Sequence, residues 1–189
     1  MQDKHNLLFI DPDLVDLTVE QNAILKANGK TIIAYLSLGQ TESKRDYWQP
    51  EWRVGSPSFI CGSDPEFKYS HVVKFWMPEW QDILINYTAT HIVPFGYSGV
   101  LLDYMAEYKY FLRERPNAAQ EMVAFGAKVV DSLRSLNPRT LIIAQDSVQL
   151  YQFEQYKDMV DVVSIEVWAT PFQITESDCN LCRKCFTIT

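Results

Sequence analysis

Apolar residues in this chain fall in short unbroken runs, and each run breaks on a polar or acidic side chain. LLFID at 7–11, TIIAYLSL at 31–38, GVLLD at 99–103, TLIIAQD at 140–146 and VDVVSIEVW at 160–168 share this form. Continuous rather than alternating runs predict strands buried on both faces of a parallel sheet. Helical spacing and punctuation lie between them. Asp16 or Thr18 opens a helix that Asn28-Gly29 closes. Pro78 fits the first turn of PEWQDILINYTATHIV, which Phe95-Gly96 ends. Pro116 or Asn117 starts AAQEMVAFGAKVVDSLRSL, stopped by Asn137-Pro138, and SVQLYQFEQYKDM at 147–159 reads as a last helix. HVVKFW at 71–76 reads as extended. The order is β-α-β-loop-α-β-α-β-α-β, an α/β fold.

The C-terminal strand ends carry Asp11, the Gly39-Gln40 tract, Asp103, Gln145-Asp146 and Glu166. Ligands bind at such ends both in open α/β sheets and in (β/α)₈ barrels. Strands also end on polar residues simply to reach solvent, so the alignment of several ends carries the signal rather than any one. The segment 39–70 is too long for a plain connector and predicts a lid or wall over the site.

Composition narrows the partners. The net charge of −7 disfavours nucleic acid. It suits a cationic substrate and equally a soluble acidic surface. Aromatic residues make up 13% of the chain, which fits a core of large side chains or a sugar-stacking cleft. No apolar run approaches the ~18–20 residues of a membrane span. MQDKHNLLFIDPD at the start shows no signal-peptide pattern. Gly39, Gly62, Gly96 and Gly99 make no phosphate loop, and there is no G-x-S-x-G elbow. No cofactor motif is visible. His5, His71 and His91 are scattered, and Asn86-Tyr87-Thr88 is a glycosylation sequon inside a predicted helix. Cys179, Cys182 and Cys185 could offer thiolates to a metal, but no fourth ligand follows them, so no metal site is assigned.

Carboxylates remain as the candidate chemistry. Asp103 and Glu166 end strands separated by one intervening strand, roughly 10 Å apart at the backbone. Inward-reaching side chains could close this to the ~5–9 Å used in hydrolysing glycosidic bonds. One acid would attack or stabilise C1 and the other would protonate the leaving oxygen. Either could instead cap a helix or pair with a cation, and capping suits Asp103 particularly.

The stretches KTIIAYLSLGQTESKRDYWQPEW, VVKFWMPEWQDIL and FGYSGVLLDYMAEYKYF resemble glycoside hydrolase family 114, the endo-α-1,4-polygalactosaminidase-like proteins. LLFIDPD, IIAQDS and VVSIEVW are similar to further strands of that family, in the family's order, across residues 7–168. The resemblance implies a (β/α)₈ barrel, present here as about five to six strands, that cleaves α-1,4-linked galactosamine-containing polysaccharide. It implies a barrel domain over 1–174 and a cysteine-containing tail, 175–189, of unassigned role. Asp103 and Glu166 match the family's nucleophile and general acid/base of a retaining mechanism. Asp11, Tyr35, Glu42, Arg45, Tyr47, Trp48, Trp76 and Gln145 match positions expected to shape sugar subsites. Family members are commonly exported, which is the only pointer to location. Departures are Gln40 for a glutamate, Ala106 for an aspartate with Glu107 next door, Met77 for an aspartate, Asp146 for an asparagine, and Val167 for an acid. These losses support a rival reading, an inactive carbohydrate-binding or scaffold remnant. A partial barrel is also expected to associate through its open edges.

Overall fold

The computed structural model describes residues 6–166 and the backbone of 185–188. Strands β1 (Leu7–Ile10), β2 (Thr31–Ser37), β6 (Gly99–Asp103), β7 (Leu141–Gln145), β8 (Val162–Glu166) and β9 (Cys185–Ile188) form one sheet in that order. Every neighbouring pair is parallel. The parallel pairing is what their continuous apolar runs predict, and the five strands up to β8 curl into half of a barrel, the part of a (β/α)₈ barrel that the family resemblance implies. Between β2 and β6, the segment expected as a loop folds on itself. It carries β3 (Gln40–Glu42) and β4 (Ile60–Ser63), which join β5 (Ser70–Val73), within the stretch expected as extended, in a separate antiparallel sheet, order β3-β5-β4.

Helix α1 (Val19–Ala27) starts on a reciprocal cap. The Thr18 hydroxyl accepts from the Gln21 amide, and the Gln21 side chain accepts from the Thr18 amide. Pro78 opens α2 (Pro78–Tyr87), where a missing N–H costs nothing. The helix predicted to reach 93 changes to a π turn and then a 3₁₀ turn after Tyr87. Helix α3 (Ala118–Leu136) buries Met122, Phe125, Val129 and Leu133 along one stripe. The predicted helix at 147–159 is a 3₁₀ turn, Val148–Gln152, followed by the short α4 (Glu154–Met159), because Phe153 is extended between them.

Strand alternation sorts the side chains into two layers. Ile32, Ala34, Leu36, Val100, Leu102, Ile142, Ala144 and Val163 pack with the helices in the main core. Ile33, Leu101 and Ile143 form a second, smaller cluster on the concave face, with Phe9, Tyr35, Leu141 and Val162 against it. Continuing that alternation by two residues, or by four from Val162, assigns Asp11, Asp103, Gln145 and Glu166 to the concave face, just beyond its apolar floor. The strand that fixes the core thereby also aims the strand-end acids. Among the described residues no helix is long and apolar enough to cross a membrane.

Candidate active site

Asp103 is the deepest of these acids. Its Oδ2 accepts from the Tyr35 hydroxyl at 3.0 Å and its Oδ1 from the Tyr104 amide at 2.7 Å. Burial raises its pKa to about 6; the two hydrogen bonds oppose this, and the charges of Asp146 and Glu166 add to it. Tyr35 is itself pushed upward by burial and by the Asp103 charge, which keeps its hydroxyl a donor. Glu166 is exposed. Its Oε2 accepts from Gln145 Nε2 at 3.1 Å, and its amide donates to Asp146 Oδ1 at 3.0 Å. Burial, then the Asp146 charge, raise its pKa.

Two non-glycine residues here adopt left-handed backbone, Tyr104 at φ 55° and Asp146 at φ 49°. Each directly follows a strand-end residue of the site, Asp103 or Gln145. Such conformations cost on the order of 1 kcal/mol or more and persist where surrounding structure enforces them. The turn at Tyr104 also packs closely on the chain after β2. A Cβ placed on Gly39 would lie 2.2 Å from the Tyr104 carbonyl oxygen and 2.6 Å from Glu107 Cβ. Glycine at 39 is what lets the turn after Asp103 lie against β2.

Asp103, Gln145 and Glu166 meet around one cleft of about 270 Å³, together with Glu66, Phe67, Tyr104, Ala106, Glu107 and Asp146. Five of these nine lining residues are carboxylates and none is cationic. Glu107, in the 3₁₀ turn after β6, is 9% exposed, and burial raises its pKa to about 7 against an opposing hydrogen bond from Gln40. The sequence flagged Ala106 as a lost acid; the structure sets a different acid, Glu107, beside the position.

The remaining predicted residues divide into two groups. Asp11, Glu42 and Arg45 come together with Asp13: Arg45 Nη1 meets Asp11 Oδ1 at 2.6 Å and Asp13 Oδ2 at 3.3 Å. Its Nη2 forms an ion pair with Glu42 Oε2 at 3.2 Å, without hydrogen-bond alignment. The Arg45 side chain is 4% exposed and lies 5.1 Å from the centre of the Tyr35 ring. This web therefore stands behind the tyrosine that holds Asp103. Tyr47, Trp48 and Trp76 do not line the cleft. Tyr47 packs edge-on against Trp80 and Tyr87, Trp48 stacks on His71, and Trp76 contacts Phe111 and the Arg115 guanidinium. Among the described residues no cluster of His, Cys, Asp and Glu could hold a metal ion. Cys179 and Cys182 lie outside the described residues, and of Cys185 only the backbone is described.

Sequence reasoning missed Glu66, Phe67, Tyr104 and the use of Glu107. The first two lie in a loop whose path follows from the antiparallel sheet, and no periodic signal reports it. The nearest available signal was the pair Gly39 and Tyr104, a glycine after one strand and a bulky residue after the next.

Known proteins share this sequence pattern and this fold. The chain is 35% identical over 157 residues to an uncharacterized protein of Deinococcus radiodurans, covering 82% of this chain and 50% of that one. It is 32% identical over 144 residues to one of Methanocaldococcus jannaschii, covering 74% and 41%. The chain thus spans about half the length of the curated relatives it matches. Its fold is similar to the glycoside hydrolase domain of PelA from Pseudomonas aeruginosa, with TM-score 0.67, 16% identity, and coverage of 86% of this chain and 60% of that one. A maltogenic α-amylase of Thermotoga neapolitana is also similar, with TM-score 0.52, 10% identity, and coverage of 78% and 31%. The model of glycoside-hydrolase family GH114 matches residues 2–167, and with that span of the chain accounted for, the protein belongs to that family.

Proposed function

We propose that this protein is a glycoside hydrolase acting on α-1,4-linked galactosamine-containing polysaccharide, with Asp103 and Glu166 as its carboxylate pair. The observation that carries the reading is their convergence on one acidic cleft from strands β6 and β8, with Gln145 of β7 between them. Asp103, fixed by Tyr35 and the Tyr104 amide, is the nucleophile toward C1. Glu166, exposed and raised in pKa, protonates the leaving oxygen and then activates water. An acidic cleft without a cation suits a partly cationic amino-sugar chain.

The test is product release from an α-1,4-galactosamine polymer. Asp103→Asn and Glu166→Gln are each expected to lower kcat by at least about 10³-fold without lowering stability. The first product should keep the α configuration by NMR. Unchanged cleavage in both variants would overturn the assignment. A second reading, a non-catalytic carbohydrate-binding remnant, is favoured by Gln40 and Ala106 standing where the family carries acids; polymer binding without product would decide for it.

A further inference from the structure

Gln40 spends both protons of its amide on carboxylates: Nε2 donates to Asp64 Oδ2 at 2.9 Å and to Glu107 Oε1 at 3.2 Å. Glu107 Oε2 is buried and has no hydrogen-bond partner among the described residues. Buried oxygens left in that condition are uncommon and ask for an explanation. The placement also constrains the backbone, since Gly39 is needed for Glu107 to approach β2. An acid serving only solubility requires neither burial nor a glycine beneath it. Glu107 lines the same cleft as Phe67, which is 49% exposed, and Ala106, whose methyl leaves room beside them.

We propose that Glu107, Phe67 and Ala106 form a sugar subsite alongside the Asp103–Glu166 pair, in which the Glu107 carboxylate accepts a hydrogen bond from a ring hydroxyl and Phe67 packs on the sugar face. This rests on the reading of the cleft as a saccharide site. Gln40 is the positioning residue: it holds one carboxyl oxygen and leaves the other for ligand. A glutamate at 40 would instead bring a third carboxylate against Asp64 and Glu107, so Gln40 is matched to Glu107. Apolar ring faces of sugars and aromatic side chains complement each other in area and quadrupole, which gives Phe67 its part.

The experiment measures binding of short α-1,4-linked galactosamine, N-acetylgalactosamine and galactose oligomers to D103N, in which turnover is removed. Calorimetry is done at pH 8, where Glu107 is ionised. Glu107→Gln in that background keeps the shape and the oxygen facing Gln40 but turns the free acceptor into a donor. Affinity for the best-bound oligomer should fall about tenfold, the scale of a hydrogen bond to a charged group. Ala106→Leu, which fills the subsite without touching the acid, should lower it similarly. Equal affinity across D103N and both double variants overturns the subsite, as does absence of binding to all three oligomers. If D103N binds and Glu107→Gln weakens that binding while the unsubstituted protein releases no product, the subsite stands and the hydrolase reading fails.

Discussion

Just beyond β1 and at the end of β3, Asp11, Asp13 and Glu42 surround a single guanidinium, that of Arg45. Farther along the same sheet edge, Asp103, Glu107, Asp146 and Glu166 face a cleft with no cation among its lining residues. Both clusters gather carboxylates near the C-terminal ends of the parallel strands. Where the guanidinium is present, the carboxylates serve as its counter-ions and the group as a prop for Tyr35. Where it is absent, burial raises the pKa of all four acids, and neighbouring carboxylates add to this at Asp103, Glu107 and Glu166. On the Arg45 side burial raises Asp13 as well, but the Tyr87 hydroxyl and the guanidinium oppose it. Acids kept at the expense of stability mark the chemical half of the edge. The cleanest break of this contrast is Arg45→Met. It leaves Asp11 and Asp13 without their cation, Glu42 keeping Lys44 at 3.2 Å, and unfolding free energy should drop by about 3–5 kcal/mol. Urea denaturation at pH 7 measures this; a loss below about 1 kcal/mol would mean that the two clusters do not differ as argued.

On the cleft side, removing a charge should have the opposite sign. Glu107 is held near 7 in the folded protein against an ordinary value of 4.5. Between those values the folded state binds the extra proton, so this group's contribution falls as pH rises from about 4.5 to about 7 and is flat above. Glu107→Gln has no such proton to lose. The two proteins should be equally stable near pH 4, while the variant should gain on the order of 3 kcal/mol at pH 8. Asp103, raised to about 6, has the same sign, with its fall completed at lower pH. If Glu107→Gln is destabilised at both pH values, Glu107 belongs with the propping cluster.

How much of this contrast the sequence could show depends on the reach of each contact. Asp103, Gln145 and Glu166 could be picked out because each stands at the polar C-terminal end of an apolar run. The parallel sheet was legible because its strands are continuous apolar runs rather than alternating ones. Arg45 could be picked out beside Tyr47 and Trp48, but its partners Asp11 and Asp13 lie over thirty residues away, so its role as a prop was not readable. Glu107 is harder still. Its burial comes from a 3₁₀ turn and from Gln40, 67 residues earlier in the chain. Of the antiparallel sheet only β5 was anticipated, as the extended stretch 71–76; β3 and β4 were hidden because they are only three and four residues long. Tyr47 and Trp76 show a further limit, since an aromatic residue beside a strand end reads alike whether it faces ligand or core.

Gly39 joins the two regions. It follows β2 between Tyr35 and Gln40 and lies under the Tyr104 turn. Gly39→Ala would put a methyl against the Tyr104 carbonyl, so the turn must shift, at about 1–3 kcal/mol of stability. Because that turn supplies the amide held by Asp103, kcat should fall more than stability accounts for, with KM less affected. A variant with unchanged kcat would detach the turn from the chemistry.

The smallest expected effect tests the outer edge of the comparison. Trp48 stacks on His71 with ring centres 5.1 Å apart and meets Trp52 edge-on, in an aromatic cluster that does not line the cleft. Trp48→Phe keeps most of that packing and should cost about 1 kcal/mol of stability. If the sugar path is confined to the side of the cleft bearing Glu107 and Phe67, KM for a galactosamine oligomer should stay within about twofold, because no binding contact is removed. A tenfold rise in KM at unchanged kcat would instead extend the substrate path over the antiparallel sheet to Trp48. Substrate would then pass above the Arg45 web on its way to Asp103, and the propping cluster would become the floor of a subsite.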